Sequence, residues 1–432
     1  MIYCIERKMM EQYKIIGGRP LYGRVKISGA KNAALPLMAA SLLTEEKVVL
    51  HNIPNLADVL TMKQLLEDLG KSVSFIDHTM VIEQKEVSSL KAPYETVRTM
   101  RASIAVLGPL LAKYHSAVVS LPGGCSIGNR PVDLHLKAME LLGAEIELDE
   151  GYIYAKTKEA TLIGADLYLV SASGVTVLGT ANALMAATLA RGKTVIDPAA
   201  TEPEIGDLID MLQSMGARIE GKGTGTLTIY GVEFLRGVEH SIIPDRIETG
   251  TFLAMVSCTG GELVLENTNP EFLRLPIFIA KEMGVEVISH KHSITVRSHG
   301  KLKATDIITK PYPDFPTDLQ PQYMVMLTLA EGESKLNENI FEDRLHHVAE
   351  LVRMGAKISE QKNNFVLIHG VSQLKGAPVM ASDLRAGAAL VIAGLASQGT
   401  TFVDRIYHID RGYEDFEAKI GALGGQIERI RI

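Results

Sequence analysis

The chain has only three cysteines in 432 residues, Cys4, Cys125 and Cys258. An odd, widely scattered set offers neither a disulfide framework nor metal-ligand spacing, and it points to a reduced, cytosolic protein. A signal-peptide core is also lacking. Met1–Met10 carries Glu6, Arg7 and Lys8 and reads as a weakly structured extension, with Met9 or Met10 as a candidate start. Excess positive charge is missing too: a formal net charge of −7 and a pI near 6.0 speak against nucleic-acid binding by bulk electrostatics. The charge-free run Leu167–Ala190 is long enough to suggest a membrane span. It contains Ser171, Ser173, Gly174, Thr176, Gly179, Thr180 and Asn182, poor lipid-facing surface, so it reads as a buried helix and no membrane insertion is expected. What remains is ordinary for a globular protein, at 46% hydrophobic and 22% charged residues, and the length suggests two or three domains.

The chain repeats itself with a period of roughly 70 residues, longer than solenoid repeats. A helical pattern ends in Leu-Gly or Met-Gly at Gly70, Gly143, Gly216, Gly284, Gly355 and Gly424, and a short alternating strand follows, as in Ala144–Leu148, Ala217–Glu220 and Ala356–Ser359. Glycine just past a helix is the expected C-terminal cap and permits an immediate turn into a strand. Upstream of each lies an Ala-rich apolar helix, a glycine turn and a β-branched strand, as in Ala186–Ile196 and Val391–Val403; Leu253–Leu265 and Met324–Leu336 fit the same template. Six such units predict an α/β fold with its apolar helices inside. The alternative, a generic α/β enzyme with chance similarity, does not account for six even spacings. Asp245–Phe252 opens the fourth unit just after Pro244, which suggests a crossing between two groups of three units. A cleft between two such domains would be the natural ligand site.

Chemistry concentrates in a few connections. Leu121–Pro131 holds Cys125 among Gly123, Gly124 and Gly128, with Arg130 five residues on. Glycines bare the backbone amides to an anion, and a guanidinium favours thiolate, so this is either a reactive thiol or an ordinary glycine turn. Cys258, by contrast, sits in the apolar run Thr251–Cys258 and reads as structural. Ser28–Pro36 puts Lys31 and Asn32 at the start of an apolar helical run, where the helix dipole favours an anion, although a solvated lysine is the plainer reading. Asp318 in Asp314–Asp318 precedes another apolar helix and is either an N-cap or a functional carboxylate. The mixed run Asp404–Glu414, with His408 and Arg411, reads as a salt-bridge loop or an anion contact, and Arg344 and Arg385 occupy matching regions of their repeats. Arginines spread over so many connections suit a ligand with several anionic groups.

Together these motifs resemble the UDP-N-acetylglucosamine 1-carboxyvinyltransferases, enolpyruvyl transferases that begin bacterial peptidoglycan precursor synthesis. The resemblance runs from about Glu11 to Ile432. It rests on Ser28–Pro36, Thr99–Ser103, Leu121–His135, Asp245–Phe252, Phe315–Asp318, Ala381–Ala386 and Asp404–Glu414. A sister family, the 5-enolpyruvylshikimate-3-phosphate synthases, shares the sixfold architecture but not the cysteine loop. The resemblance implies two inside-out α/β domains of three repeats each, with buried helices and outer sheets. Residues 11–29 and 245–432 would form domain one, and residues 30–244 would form domain two with the Cys125 loop, after the 1–10 extension. It also implies phosphoenolpyruvate and UDP-N-acetylglucosamine as substrates, no cofactor and no metal.

Residue by residue, the resemblance makes Cys125 the proton donor to the methylene carbon of phosphoenolpyruvate and a site of covalent adducts. Lys31, Arg130 and Arg411 are expected on the phosphate with Asn32 close by, and Arg344 and Arg385 on the carboxylate. Arg101, Arg130, Pro131, Val132, Asp133, Leu134, Asp318 and Ile340 are expected on the UDP-sugar, with Asp318 accepting the sugar hydroxyl proton. One segment departs from the family pattern: Ser173–Thr180, on the expected uridine side, reads Ser-Gly-Val-Thr-Val-Leu-Gly-Thr. That departure leaves a non-catalytic UDP-sugar-binding regulator as the rival from another class. A shikimate-pathway transferase is the enzymatic alternative.

Overall fold

The computed structural model describes residues 11–85, 89–98, 100–121, 132–171, 174–360 and 364–431. Among the described residues six four-stranded sheets recur with one topology: a parallel pair at one edge, then two antiparallel pairings. In one of them, Ile307–Ile308 runs parallel to Glu333–Asn337, which pairs with Phe365–His369, which pairs with Lys357–Glu360. The strands following the helix-ending glycines are outer strands of these sheets, including Ala144–Asp149, Arg218–Glu220 and Lys357–Glu360. All six glycines take positive φ, from 91° at Gly70 and Gly424 to 106° at Gly216. A side chain there would meet the left-handed penalty, so the repeated Leu/Met-Gly mark is a backbone requirement.

The chain divides into two compact units. Unit 1 comprises Met1–Ile27, Arg246–Lys310 and Phe315–Ile432; unit 2 comprises Ser28–Asp245 and Pro311–Asp314. In unit 1 the helices Arg246–Thr259, Gln320–Thr328 and Leu384–Ala396 pack on one another. Gln320–Thr328 is buried along its whole length, and Arg246–Thr259 is buried from Arg246 to Cys258. Helices buried on every side need no amphipathic stripe, so their central turns read as short apolar runs, Phe252–Val256, Tyr323–Leu327 and Ala388–Ala393. The outer helices are amphipathic, as in Pro203–Ser214, which buries Ile205, Leu208, Ile209, Met211 and Leu212 and exposes Asp210, Gln213 and Ser214. Cys258 is a buried free cysteine, and burial pushes its thiol far above the usual range.

Sheet closure uses strands remote in sequence. Glu11–Ile16 fills the centre of the last sheet, between Thr400–Asp404 and Gln426–Arg431, and Leu21–Lys26 runs parallel to Gly261–Glu266. In unit 2, Val238–Ser241 lies parallel to Val48–His51. Among the described residues of the run Leu167–Ala190, helix covers Val177–Ala187, and the first part forms the short strands Asp166–Leu167, Val170–Ser171 and Gly174–Val175. Thr176 Oγ1 accepts from Gly179 N at 3.2 Å, an N-cap that starts the helix nine residues into the run. Among the described residues no helix is long and apolar enough to cross a membrane.

Candidate functional site

In unit 1 the structure brings together three of the residues singled out in the sequence. Asp318 lies in the 3₁₀ turn Thr317–Leu319, directly before the buried helix Gln320–Thr328. It does not act as that helix's N-cap, which is Leu319 and carries no side-chain cap. Its carboxylate is instead bracketed by two guanidiniums. Arg344 Nη2 is 2.9 Å from Oδ1, and Arg385 reaches Oδ2 with Nη2 at 3.1 Å and Nε at 3.3 Å. Both arginine side chains are almost fully buried, 2% and 3% exposed, whereas that of Asp318 is 27% exposed, so the carboxylate is the outward tip of an inward cationic pair.

Each arginine is held from behind. Arg385 stands in the first turn of Leu384–Ala396, where Asp383 caps the helix by accepting from the amides of Arg385 and Ala386 at 2.9 and 3.0 Å. Its guanidinium lies 5.4 Å from the Tyr413 ring, and that of Arg344 lies 5.4 Å from the Phe341 ring. Burial works against ionisation of Asp383, but the Arg344 charge and the Ala386 amide together hold its carboxyl below the ordinary range. His347, fully buried beside Arg344, is pushed down to about 4, first by burial, so it is neutral and adds no charge to the cluster at pH 7. Arg344 Nε and Nη1 have no hydrogen-bond partner among the described residues. Buried donors of this kind are costly to leave unmade, and an anionic ligand is their natural acceptor.

Arg411 ends the 3₁₀ segment Ile406–Arg411 and is half-buried. Close packing sets this segment against the Arg385 helix. A Cβ on Gly387 would sit 2.7 Å from Ile409, and one on Gly412 would sit 2.6 Å from Leu384, so glycine alone permits the approach. Burial and the Arg411 charge lower the His408 imidazole. The salt-bridge reading of the mixed run holds for Asp410, which pairs with Arg429 at 2.6 Å; the charges of Arg411 and Asp383 act in opposite directions on His408.

In unit 2, Lys31 is the first residue of the helix Lys31–Ala40, with Nζ 3.3 Å from Asp58 Oδ2 and both side chains largely buried. Asn32 beside it is exposed. The plainer reading of Lys31 as a solvated lysine is thus wrong, because it is held in place by a carboxylate 27 residues away. Arg101, half-buried, opens the 3₁₀ segment Arg101–Val106. Asp133 and Leu134 begin the helix Asp133–Leu141 behind Val132; Asp133 is exposed, Val132 half-buried and Leu134 buried. His135 ties these pieces together. Burial, then the Arg101 charge, push it down to about 4, and its Nδ1 lies 3.1 Å from Asn182 Nδ2. Ile340, half-buried in unit 1, donates its amide to Glu338 Oε1 at 2.9 Å. Cys125, Arg130 and Pro131 lie outside the described residues.

Sequence reasoning missed Asp58, Asn182, Glu338, Phe341 and Tyr413. None sits at a distinctive spacing; each acquires its partner only through the fold.

Six repeated sheet–helix units, with arginines converging on a carboxylate, define the class as the enolpyruvyl transferase fold. The solved structure of the enolpyruvyl transferase NikO from Streptomyces tendae superposes with a TM-score of 0.88 at 22% identity, over 98% of this chain and 100% of that one. An EPSP synthase from Acinetobacter baumannii gives 0.77 at 19% identity, over 97% and 100%. The chain belongs to the EPSP synthase (3-phosphoshikimate 1-carboxyvinyltransferase) family, whose model matches residues 15–420. Within it, proteins named UDP-N-acetylglucosamine 1-carboxyvinyltransferase are far more similar in sequence. Those of Magnetococcus marinus and Cellvibrio japonicus are 50% and 51% identical, each over 98% of this chain and their own full length.

Proposed function

We propose that this protein transfers the enolpyruvyl group of phosphoenolpyruvate to the 3-hydroxyl of UDP-N-acetylglucosamine, releasing inorganic phosphate, and acts as a cytoplasmic enzyme of peptidoglycan precursor synthesis. The observation that carries the reading is the Asp318 carboxylate set between buried Arg344 and Arg385, with donors of Arg344 to spare. High identity to the named relatives over the full length supports the choice of acceptor.

The reaction is an addition followed by an elimination. The sugar hydroxyl oxygen bonds to C2 of phosphoenolpyruvate, its proton passes to Asp318, and a proton from Cys125 makes the methylene a methyl group. The resulting phospho-lactyl ketal returns a methyl proton to the Cys125 thiolate, and the C2–O bond to phosphate breaks, restoring the double bond, while the proton taken up by Asp318 leaves with the phosphate. Charge builds on the carboxylate and on the leaving phosphate, so fixed cations lower the barrier. Arg344 and Arg385 hold the carboxylate; Lys31, Arg130 and Arg411 hold the phosphate, with Asn32 nearby. Arg101, Arg130, Pro131, Val132, Asp133, Leu134 and Ile340 hold the UDP-sugar. A substrate carboxylate at the same guanidiniums competes with Asp318 for their donors.

The test is phosphate release by purified protein with phosphoenolpyruvate, with and without UDP-N-acetylglucosamine. Acceptor-dependent release is expected, slowed about 10²–10⁴-fold in Asp318→Ala with UDP-sugar binding retained. Fosfomycin, an epoxide, is expected to add its mass to the wild type and not to Cys125→Ser. A folded protein that binds the UDP-sugar but releases no phosphate is a regulator instead.

A further inference from the structure

We propose that Glu338 is a positioning residue for the proton-transfer site, acting through the two segments that carry Asp318 and Arg344. This rests on the reading of Asp318 as the proton acceptor. Glu338 is 2% exposed and accepts four hydrogen bonds from three separate pieces of chain. Its Oε1 takes the Thr309 hydroxyl at 2.9 Å and the amides of Ile340 and Phe341 at 2.9 and 3.2 Å; Oε2 takes the Thr317 hydroxyl at 2.9 Å. Thr309 Oγ1 in turn accepts from the Asn339 amide at 2.9 Å, closing the turn on itself.

The geometry connects to the chemistry on both sides. Thr317 opens the 3₁₀ turn that presents Asp318, so the bond to Oε2 fixes the backbone one residue before the carboxylate. Phe341 carries the ring beside Arg344, and its amide is fixed by Oε1, so the same carboxylate sets the platform of the guanidinium that pairs with Asp318. One buried group thereby holds both members of a 2.9 Å ion pair in register. Asn337 ends the strand Glu333–Asn337, and backbone bonds from Thr309 N to Asn337 O and from Lys310 N to Phe315 O draw these pieces together; the Glu338 carboxylate adds side-chain bonds to both. A misplacement of 1 Å at a reacting group is worth about a hundredfold in rate, so a residue that never touches substrate can govern turnover.

The experiment compares Glu338→Ala, Glu338→Gln and Thr317→Val with the wild type, alone and combined with Asp318→Asn. Two readouts are used: steady-state kinetics and amide hydrogen exchange over residues 315–345. Glu338→Ala is expected to lower kcat about 30–100-fold while KM for UDP-N-acetylglucosamine stays within about threefold, the pattern of lost transition-state positioning. Glu338→Gln keeps an Oε1 acceptor for the two amides and recovers most of the rate. Thr317→Val, which leaves the buried carboxylate in place, is expected to slow kcat severalfold, and it carries the test if Glu338→Ala does not fold. In the Asp318→Asn background, Glu338→Ala adds no further loss, because groups acting as one unit are not additive. Exchange at the Ile340 and Phe341 amides rises at least about tenfold in Glu338→Ala.

Wild-type kcat in Glu338→Ala and Thr317→Val, additive losses with Asp318→Asn, or unchanged exchange at Ile340 and Phe341 overturns the proposal. An Asp318→Asn variant with normal turnover instead overturns the role given to Asp318. The exchange readout still decides whether Glu338 orders the turn.

Discussion

Asn182→Ala isolates how unit 2 holds its candidate binding segments. Asn182 is fully buried in the helix Val177–Ala187 and ties three other segments through one amide. Its Oδ1 accepts from Gly108 N at 2.7 Å; its Nδ2 donates to Ile104 O at 3.1 Å and faces His135 Nδ1 at 3.1 Å. The bond from Gly108 fixes which end of the amide is oxygen. His135 Nδ1 must therefore accept, which agrees with an imidazole lowered to about 4 by burial and by Arg101. Truncation takes the side-chain partner from the Gly108 N–H and from the His135 ring nitrogen in a dry interior, while the Ile104 carbonyl keeps its bond from Leu107 N. At about 1–3 kcal/mol for each unsatisfied group, with some relaxation, the loss is about 3–5 kcal/mol. Urea unfolding with peptide-resolved hydrogen exchange is the suitable assay, because a chain with two compact units need not unfold in one step. Protection is expected to fall first over 101–114 and 133–141. A loss below about 1 kcal/mol, or exchange unchanged in those peptides, would show that the network is ornamental and refute the reasoning.

Two further outcomes follow from the same structure. His135 binds a proton less readily folded, at about 4, than unfolded, near 6.5, so the unfolded chain takes up protons first as pH falls. Its contribution is intact above pH 6.5, declines below it and is gone below pH 4; at pH 4.5 about 2.5 kcal/mol is lost. In urea titrations the gap between wild type and His135→Gln is therefore expected to narrow from pH 7 to 4.5, and a constant gap contradicts the assignment. Glycine substitutions separate strain from space. Gly216→Ala, at φ 106° with open space around the new Cβ, is expected to lower unfolding free energy by about 1–2 kcal/mol. Gly231→Ala, whose Cβ would lie 1.6 Å from the Ala190 carbonyl oxygen, is expected to destabilise far more, and equal melting temperatures for the two would sink that distinction.

The repeat was legible in the sequence because its marks are local. A left-handed glycine after each outer helix and an apolar run within each inner helix are demanded by backbone sterics and by burial on every side, whatever the rest of the chain does. Lys31, Asp318 and Arg385 stood out as charges beside helix starts, and Arg344 and Arg411 as arginines in charge-rich connections. Tertiary structure alone decided which charges meet. Asp318 and Arg385 are 67 residues apart and share an ion pair; Lys31 finds Asp58; Asn182 finds Gly108 and His135. It also decided that Glu11–Ile16 closes the last sheet, more than 400 residues along the chain from its partner Gln426–Arg431. Periodicity specifies an element and its buried face, but pairing between distant segments depends on the summed packing of the whole domain, which no local pattern encodes.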